Sequence, residues 1–386
     1  MSPLSSIPLT LYVHMPWCVR KCPYCDFNSH QLKSARPDGS YISALLRDFE
    51  RELPRIGTRR IDSVFFGGGT PSLFLPEEFA RFLEAVRRRA DLSDDAEITM
   101  EANPGTIERG RFAEYAHAGV NRVSLGAQTF NARLLERLGR IHSAEETERA
   151  VEELRNAHIE NFNLDLMYAL PEQTLEEALS DVRKACALGP AHVSYYQLTL
   201  EPGTVFHSRP PPLPDEDKAW RMQTEGQALL AQSDFAQYEV SAYARTGARS
   251  RHNLNYWSFG DYVGVGAGAH GKVSMSVPQR VLRTIKPKQP KEYQEHAQRD
   301  MASVIGECNA VEVHDLPFEF MLNALRLNEG FSDECFEQRT GLPMSTVLPR
   351  LHEVQERGLL EPRSGGWRPT DLGRRFLNDL QAAFLA

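Results

Sequence analysis

Residues 9–27 read LTLYVHMPWCVRKCPYCDF, an alternating apolar run followed by three cysteines within eight positions. Leu9, Leu11 and Val13 alternate with polar neighbours, which predicts a buried strand that delivers a loop. In that loop Cys18, Cys22 and Cys25 are spaced C-x3-C-x2-C, close enough for their sulfurs to converge on one inorganic centre. Three thiolates are one fewer than an all-cysteine iron–sulfur cluster uses, so a cubane held here leaves one iron without a protein thiolate. An open metal position is where a substrate or cofactor binds, by the logic that separates catalytic from structural zinc. Arg20 and Lys21 supply positive charge that stabilises thiolates. Zinc is the alternative, with His14 or His30 completing a Cys3His set. A disulfide would leave one cysteine over, and MSPLSSIPL has neither the basic start nor the long apolar segment of an export signal.

The remaining composition bounds the class. At 386 residues the chain exceeds one ordinary core, so a large domain plus smaller units is expected. It is 41% hydrophobic and 25% charged, with no apolar run long enough to cross a bilayer. A cytoplasmic, reducing setting suits free thiols. Fifty-two acidic against 44 basic residues give a net charge of −8, which argues against a nucleic-acid partner.

After the loop, strands and helices alternate. The segment 39–54 has apolar residues at helical spacing, and IDSVFF (61–66) is a strand ending in Gly67-Gly68-Gly69-Thr70-Pro71. Three glycines admit a close backbone approach to a ligand and leave N–H groups free to donate. Further strands are expected at 96–100, 120–125, 162–166 and 193–198, each but the last followed by a helix. Six such units predict a partial, laterally open (β/α)6 barrel, because Pro202 and Pro210–Pro214 then break the pattern. In such barrels the carboxyl ends of the strands carry the chemistry. Glu101, Gln128 and Asp165 are polar residues there, and Asp165 puts a carboxylate inside an apolar strand, where an unpaired charge is costly. Capping or ion pairing is the structural alternative for each.

The C-x3-C-x-aromatic-C pattern of Cys18, Cys22, Tyr24 and Cys25 resembles the cluster loop of the radical S-adenosylmethionine superfamily. YVHMPWC and CPYCDF are similar to the branch that contains oxygen-independent coproporphyrinogen III oxidases and HemW-type haem chaperones. The resemblance implies a [4Fe-4S] cluster on the three cysteines, with S-adenosylmethionine chelating the open iron. Carried over by position, it implies cofactor-binding roles for Tyr12, Tyr24, Gly68, Gly69, Thr70, Glu101, Gln128, Arg140 and Asp165. No residue is assigned as catalytic.

Farther along, a helix is expected over 218–232 and a strand over 235–241. His252-Asn253-Leu254-Asn255-Tyr256-Trp257 follows, then a glycine run, Gly264 to Gly271, that reads as a close backbone approach to the barrel or to a ligand. His252, Tyr256 and Trp257 suit a planar aromatic ligand with histidine on its iron, although a histidine near aromatics is also ordinary packing. His-Asn-x-x-Tyr-Trp resembles a motif of the HemW group, implicated there in haem handling. From about residue 301 to 386, helices and a hairpin turning at Ser364-Gly365-Gly366 outline a winged-helix-like C-terminal domain, with 1–205 as the barrel and 206–300 as the segment that completes and covers it. Cys186, Cys308 and Cys335 read as buried structural thiols.

Two reactions are compatible with this machinery: delivery of haem to acceptor proteins by a chaperone, and oxidative decarboxylation of coproporphyrinogen III. The oxidase resemblance would place a cysteine two residues after Cys25, where Phe27 stands. The chain begins only a few residues before its first strand, without the oxidase's N-terminal extension, while the His252–Trp257 motif is present. Together these favour the chaperone, leaving radical chemistry open. The resemblance implies haem acceptors, reached in part by peripheral membrane contact, and an electron donor of flavodoxin or ferredoxin type.

Overall fold

The computed structural model describes residues 7–32, 39–105, 111–276, 279–299 and 306–385. Among them, alternation between outward apolar and inward polar residues sets the architecture. Strands β1 (Leu9–Met15), β4 (Ile61–Gly68), β5 (Leu92–Ala102), β6 (Arg122–Gln128), β7 (Phe162–Tyr168) and β8 (His192–Gln197) are neighbours in a parallel sheet, in that order. The intervening short strands β2 (Trp17–Cys18) and β3 (His30–Gln31) pair with each other and close the base of the cysteine loop. Helices α1 (Gly39–Ile56), α2 (Pro76–Arg89), α3 (Phe112–His117), α4 (Ala132–Arg137), α5 (Ala144–Asn156) and α6 (Leu175–Ala187) occupy the connections. Their starts are written locally: Pro76 opens α2, and Ser143/Glu146 and Thr174/Glu177 form capping boxes. The apolar core contains Leu11, Val13, Val64, Phe66, Ile98, Met100, Val123, Leu125, Leu164, Leu166 and Val193 together with residues of these helices. This is the partial (β/α)6 barrel expected.

The sheet runs on at both ends. Beyond β8 come the antiparallel strands β10 (Ala242–Ala244) and β9 (Ala236–Glu239), the latter reached through α7 (Val205–Ser208) and α8 (Glu216–Gln232). On the other side, α9 (Arg251–Trp257) leads to β11 (Asp261–Val265), which lies parallel to β1 with Val265 opposite Val13. Antiparallel strands β12 (His270–Ser276), β13 (Gln279–Ile285) and β14 (Glu307–Ala310) continue from it, giving twelve strands. The glycine run thus begins inside a strand. Close approach also holds there: a Cβ on Gly266, whose φ is +108°, would lie 2.4 Å from the His14 carbonyl oxygen.

Two buried ion networks fasten this late segment to the early one. Lys286 Nζ reaches Asp48 Oδ1 and Glu52 Oε1 of α1, both at 2.7 Å. Asp261 receives Lys272 Nζ and Arg59 Nη1, both at 2.8 Å. Helices α10 (Pro290–Gln298), α11 (Leu316–Ala324), α12 (Asp333–Thr340) and α13 (Leu348–Glu356) follow. From α11 onward the chain builds a second apolar cluster around Phe320, Phe331, Phe336 and Trp367, which Phe259 joins. Strands β15 (Phe331–Ser332), β16 (Leu360–Arg363) and β17 (Gly366–Pro369) form its three-stranded sheet. The expected hairpin turn at Ser364–Gly365 is present, and the final helix is broken at Phe376 into α14 (Asp371–Arg375) and α15 (Leu377–Ala382). The expected boundary near residue 300 lies outside the described residues.

Candidate functional site

The three cysteine thiols sit half-buried at the carboxyl end of β1, each beside a polar group. Thr70 Oγ1 donates to Cys18 Sγ at 3.5 Å, Arg140 Nη1 donates to Cys22 Sγ at 3.8 Å, and Ser29 Oγ is 3.6 Å from Cys25 Sγ. Burial pushes the Cys18 and Cys25 thiols up, opposed by the Thr70 and Ser29 hydroxyls. They would therefore ionise when a metal binds, since a coordinating thiol is deprotonated outright. Among the described residues no three His, Cys, Asp or Glu side chains gather closely enough for a single metal ion. The two histidines available to a zinc site have partners already. His14 contacts Tyr12 Oη at 2.9 Å and the Asn28 carbonyl at 3.0 Å, while His30 Nε2 is within 3.3 Å of Asn28 Oδ1 and the Lys288 carbonyl. The donor set fits a cluster whose iron atoms each take a different thiolate better than it fits Cys3His zinc.

The glycine segment is held against this loop. Gly69 and Thr70 donate their N–H groups to the carbonyls of Met15 and Trp17 at 2.8 and 2.7 Å, and Gly68 donates to Glu101 Oε2 at 2.9 Å. Contrary to expectation, these N–H groups are not free for a ligand: they fix the cysteine loop to β4. The close approach is nonetheless real, because a Cβ on Gly68, at φ +110°, would lie 2.3 Å from the His14 ring.

Below the loop lies a cavity of about 430 Å3 lined by Cys18, Cys22, Cys25, Tyr24, Gly68, Gly69, Thr70, Glu101, Gln128, Arg140 and Asp165. Of the residues singled out for the cofactor, only Tyr12 lies outside this lining, in the adjoining cavity. Burial, opposed by the Gly68 N–H and joined by the Asp165 charge, pushes Glu101 up to about 7. Asp165 is likewise raised by burial, against hydrogen bonds that include Asn163 Nδ2 at 2.7 Å and Ser124 Oγ at 3.1 Å. Gln128 holds a left-handed backbone conformation at φ 65° and accepts from Tyr196 Oη at 2.9 Å. Arg140 donates to Asn103 Oδ1 and to the Gly126 carbonyl, so one guanidinium joins two strand ends to Cys22.

The adjoining cavity, about 630 Å3, shares Phe65, Gly68 and Glu101 with the first. His252, Tyr256, Trp257, Tyr12, His14 and His270 line it. His252 is the second residue of α9, whose first N–H groups are received by Glu97: Arg251 N at 3.0 Å and His252 N at 3.1 Å. The His252 ring accepts or donates at Ser63 Oγ, 3.2 Å from Nδ1, and packs on Phe65 with ring centres 5.0 Å apart. Burial, reinforced by the charge of Arg122, lowers it to about 3, so its imidazole is neutral at physiological pH. Tyr256 and Trp257 pack on each other edge to face rather than on His252, and Arg326 lies over Trp257 at 4.2 Å.

Ser124, Asn163, His192, Ser194, Tyr196 and Asn103 also line the first cavity and were not singled out from sequence. For all of these but Asn103 the signal is the alternation of RVSLGAQ, FNLDLMY and HVSYYQ, in which every second residue except Met167 is polar or small. Cys186, Cys308 and Cys335 are half-buried rather than buried, and none lines either cavity.

Comparison with known proteins agrees with this geometry. The model of the radical SAM superfamily matches residues 12–185, and that of the HemN C-terminal domain matches residues 311–376. The chain is 47% identical over 383 residues to the heme chaperone HemW of Escherichia coli (strain K12), covering 98% of both proteins. It is 32% identical to heme chaperone HemW of Bacillus subtilis (strain 168), covering 97% of this chain and 98% of that protein. Among solved structures, coproporphyrinogen III oxidase (HemN) from Escherichia coli superposes with a TM-score of 0.82 at 22% identity, covering 98% of this chain and 90% of that one. That last likeness shows the fold. Near-complete coverage at this identity, with the cysteine loop, the barrel and the C-terminal unit all matched, means that the chain belongs to the radical SAM superfamily and, within it, to the HemW family.

Proposed function

We propose that the protein binds haem and passes it to acceptor proteins, carrying a [4Fe-4S] cluster and S-adenosylmethionine. The observation that carries this reading is the 47% identity, over 98% of the chain, to a protein named heme chaperone HemW. Cys18, Cys22 and Cys25 would hold the cluster, with Arg140 and Thr70 directing positive charge and a hydroxyl at two of the sulfurs. Once bound, the cluster supplies an open iron position for the amino-acid end of S-adenosylmethionine and an electron to its sulfonium. Gly68 and Gly69 present backbone without side chains to that end, while Glu101, Gln128 and Asp165 face the nucleoside. Tyr12 and Tyr24 close the two sides. In the adjoining cavity His252 would offer a neutral imidazole to haem iron, and Tyr256 and Trp257 contribute aromatic rings to the lining. The reading includes a reducing, cytoplasmic setting, an electron donor of flavodoxin or ferredoxin type, and no nucleic-acid partner. Coproporphyrinogen decarboxylation has no comparable support, because the likeness to the oxidase is one of fold.

Titration of the anaerobically reconstituted protein with haem, run beside an assay for protoporphyrinogen, tests the reading. Stoichiometric haem uptake without protoporphyrinogen is expected; product without haem uptake would reverse the conclusion. Cys22→Ser should abolish the visible absorption of the cluster, and full iron and colour in that variant would remove the cluster assignment.

A further inference from the structure

At the start of β6 a buried guanidinium has only one loose ion pair among the described residues. Arg122 opens β6 with its side chain only 2% exposed, yet Nε finds no hydrogen-bond acceptor among the described residues. Its nearest carboxylate oxygen, Glu97 Oε2, stands 4.0 Å away. Glu97 is already engaged: its oxygens accept the N–H groups of Arg251 and His252 at 3.0 and 3.1 Å and the Ser250 hydroxyl at 3.4 Å. Asp165, the other carboxylate that feels Arg122, is taken by Asn163 and Ser124. Removing a guanidinium from water without bonding it is costly, and a residue kept in that state is poised for an anion. Arg122 lines the same cavity as Asp165 and Asn253, and Asn253 also lines the cavity of its neighbour His252. A planar fork of N–H donors lining a cavity matches a carboxylate.

We propose that Arg122 is a binding residue for a carboxylate of the ligand that fills this barrel. The proposal rests on the haem reading above: the amino-acid end of S-adenosylmethionine is taken up at the open iron, so the group expected at Arg122 is a propionate of the tetrapyrrole. That carboxylate accepts from the guanidinium, and the conjugated body lies toward the adjoining cavity of His252.

The experiment compares wild type, Arg122→Gln and Arg122→Lys in reconstituted full-length protein. Haem, haem dimethyl ester and S-adenosylmethionine are titrated separately and followed by absorption and calorimetry. If the tetrapyrrole supplies the group, wild type prefers free haem to the ester by about tenfold or more, Arg122→Gln abolishes that preference, and Arg122→Lys keeps part of it. Loss of S-adenosylmethionine affinity in Arg122→Gln by a similar factor, with the preference for haem over its ester unchanged, would overturn the proposal. Thermal unfolding of the ligand-free variants separates binding from folding: Arg122→Lys, which keeps a positive charge beside Glu97 and Asp165, should melt close to wild type, so its partial loss of preference reports binding. Undiminished affinity of Arg122→Gln for all three molecules, or a lowered melting temperature with every ligand preference unchanged, would overturn the proposal. Failure of wild type to take up either haem or S-adenosylmethionine would instead count against the function proposed above.

Discussion

Asp165 shows how a single side chain advertises a cavity. A carboxylate inside FNLDLMY has to be answered, and Asn163, Ser124 and the charge of Arg122 answer it from inside the barrel. Asp165→Ala should weaken S-adenosylmethionine binding by about tenfold or more, read by calorimetry; unchanged affinity would remove Asp165 from the pocket. His252 makes a second prediction, about acidity. Its folded value near 3 is below the unfolded histidine value, so it stays neutral in the fold as pH falls from 7 to 5 while an unfolded histidine would gain a proton. Two things follow with the same sign. His252 withdraws stability as pH drops through about 6.5, and haem affinity measured at pH 7.5 and at pH 5.5 should not differ through its titration. A loss of haem with a midpoint near 6.5 would mean that the ligating imidazole is a solvent-exposed one. At this scale the sequence was informative where a residue type broke an apolar pattern, as at Asp165, Glu101 and Gln128. It was weaker at Arg122 and His192, which only the alternation of their strands marks and whose polarity becomes meaningful when six strands turn those positions to one interior.

Among the elements, the parallel strands and their helices were legible because each carries its own signal: alternation in the strands, capping residues and apolar stripes in the helices. The strands from β10 to β14 were not. In β11 the apolar alternation is cut by Gly264, and its partner β1 lies some 250 residues earlier, so its pairing is written in no local pattern. What secures the segment is the fit of backbone against backbone at Gly266 and two long-range charge contacts, Lys286 on the acids of α1 and Arg59 on Asp261. Gly266→Ala should therefore destabilise the protein by about 2 kcal/mol or more in denaturant unfolding, combining a positive φ with a collision against His14. Because His14 carries the chain into the cysteine loop, the same variant should retain less iron on reconstitution. A variant with wild-type stability and iron content would show that the approach of β11 to β1 is slack.

At the scale of the molecule, two large apolar clusters and two small ones among the described residues frame a polar interior. Complete parallel barrels fill their middle with layers of branched side chains. Here the inward positions are instead Ser63, Ser124, Asn163, Asp165, Ser194 and their like, and cavities of about 430 and 630 Å3 remain between the strands and the covering segments. Space that vanishes when the chain unfolds makes the unfolded state smaller, so hydrostatic pressure favours unfolding in proportion to the emptiness. The ligand-free protein should unfold at a lower pressure than the same protein saturated with S-adenosylmethionine and haem, by more than mass action at atmospheric pressure accounts for. Equal volume changes of unfolding in the two states would mean that the ligands sit on the surface. A fold that reserves its centre for its cargo is at its most compressible while it waits.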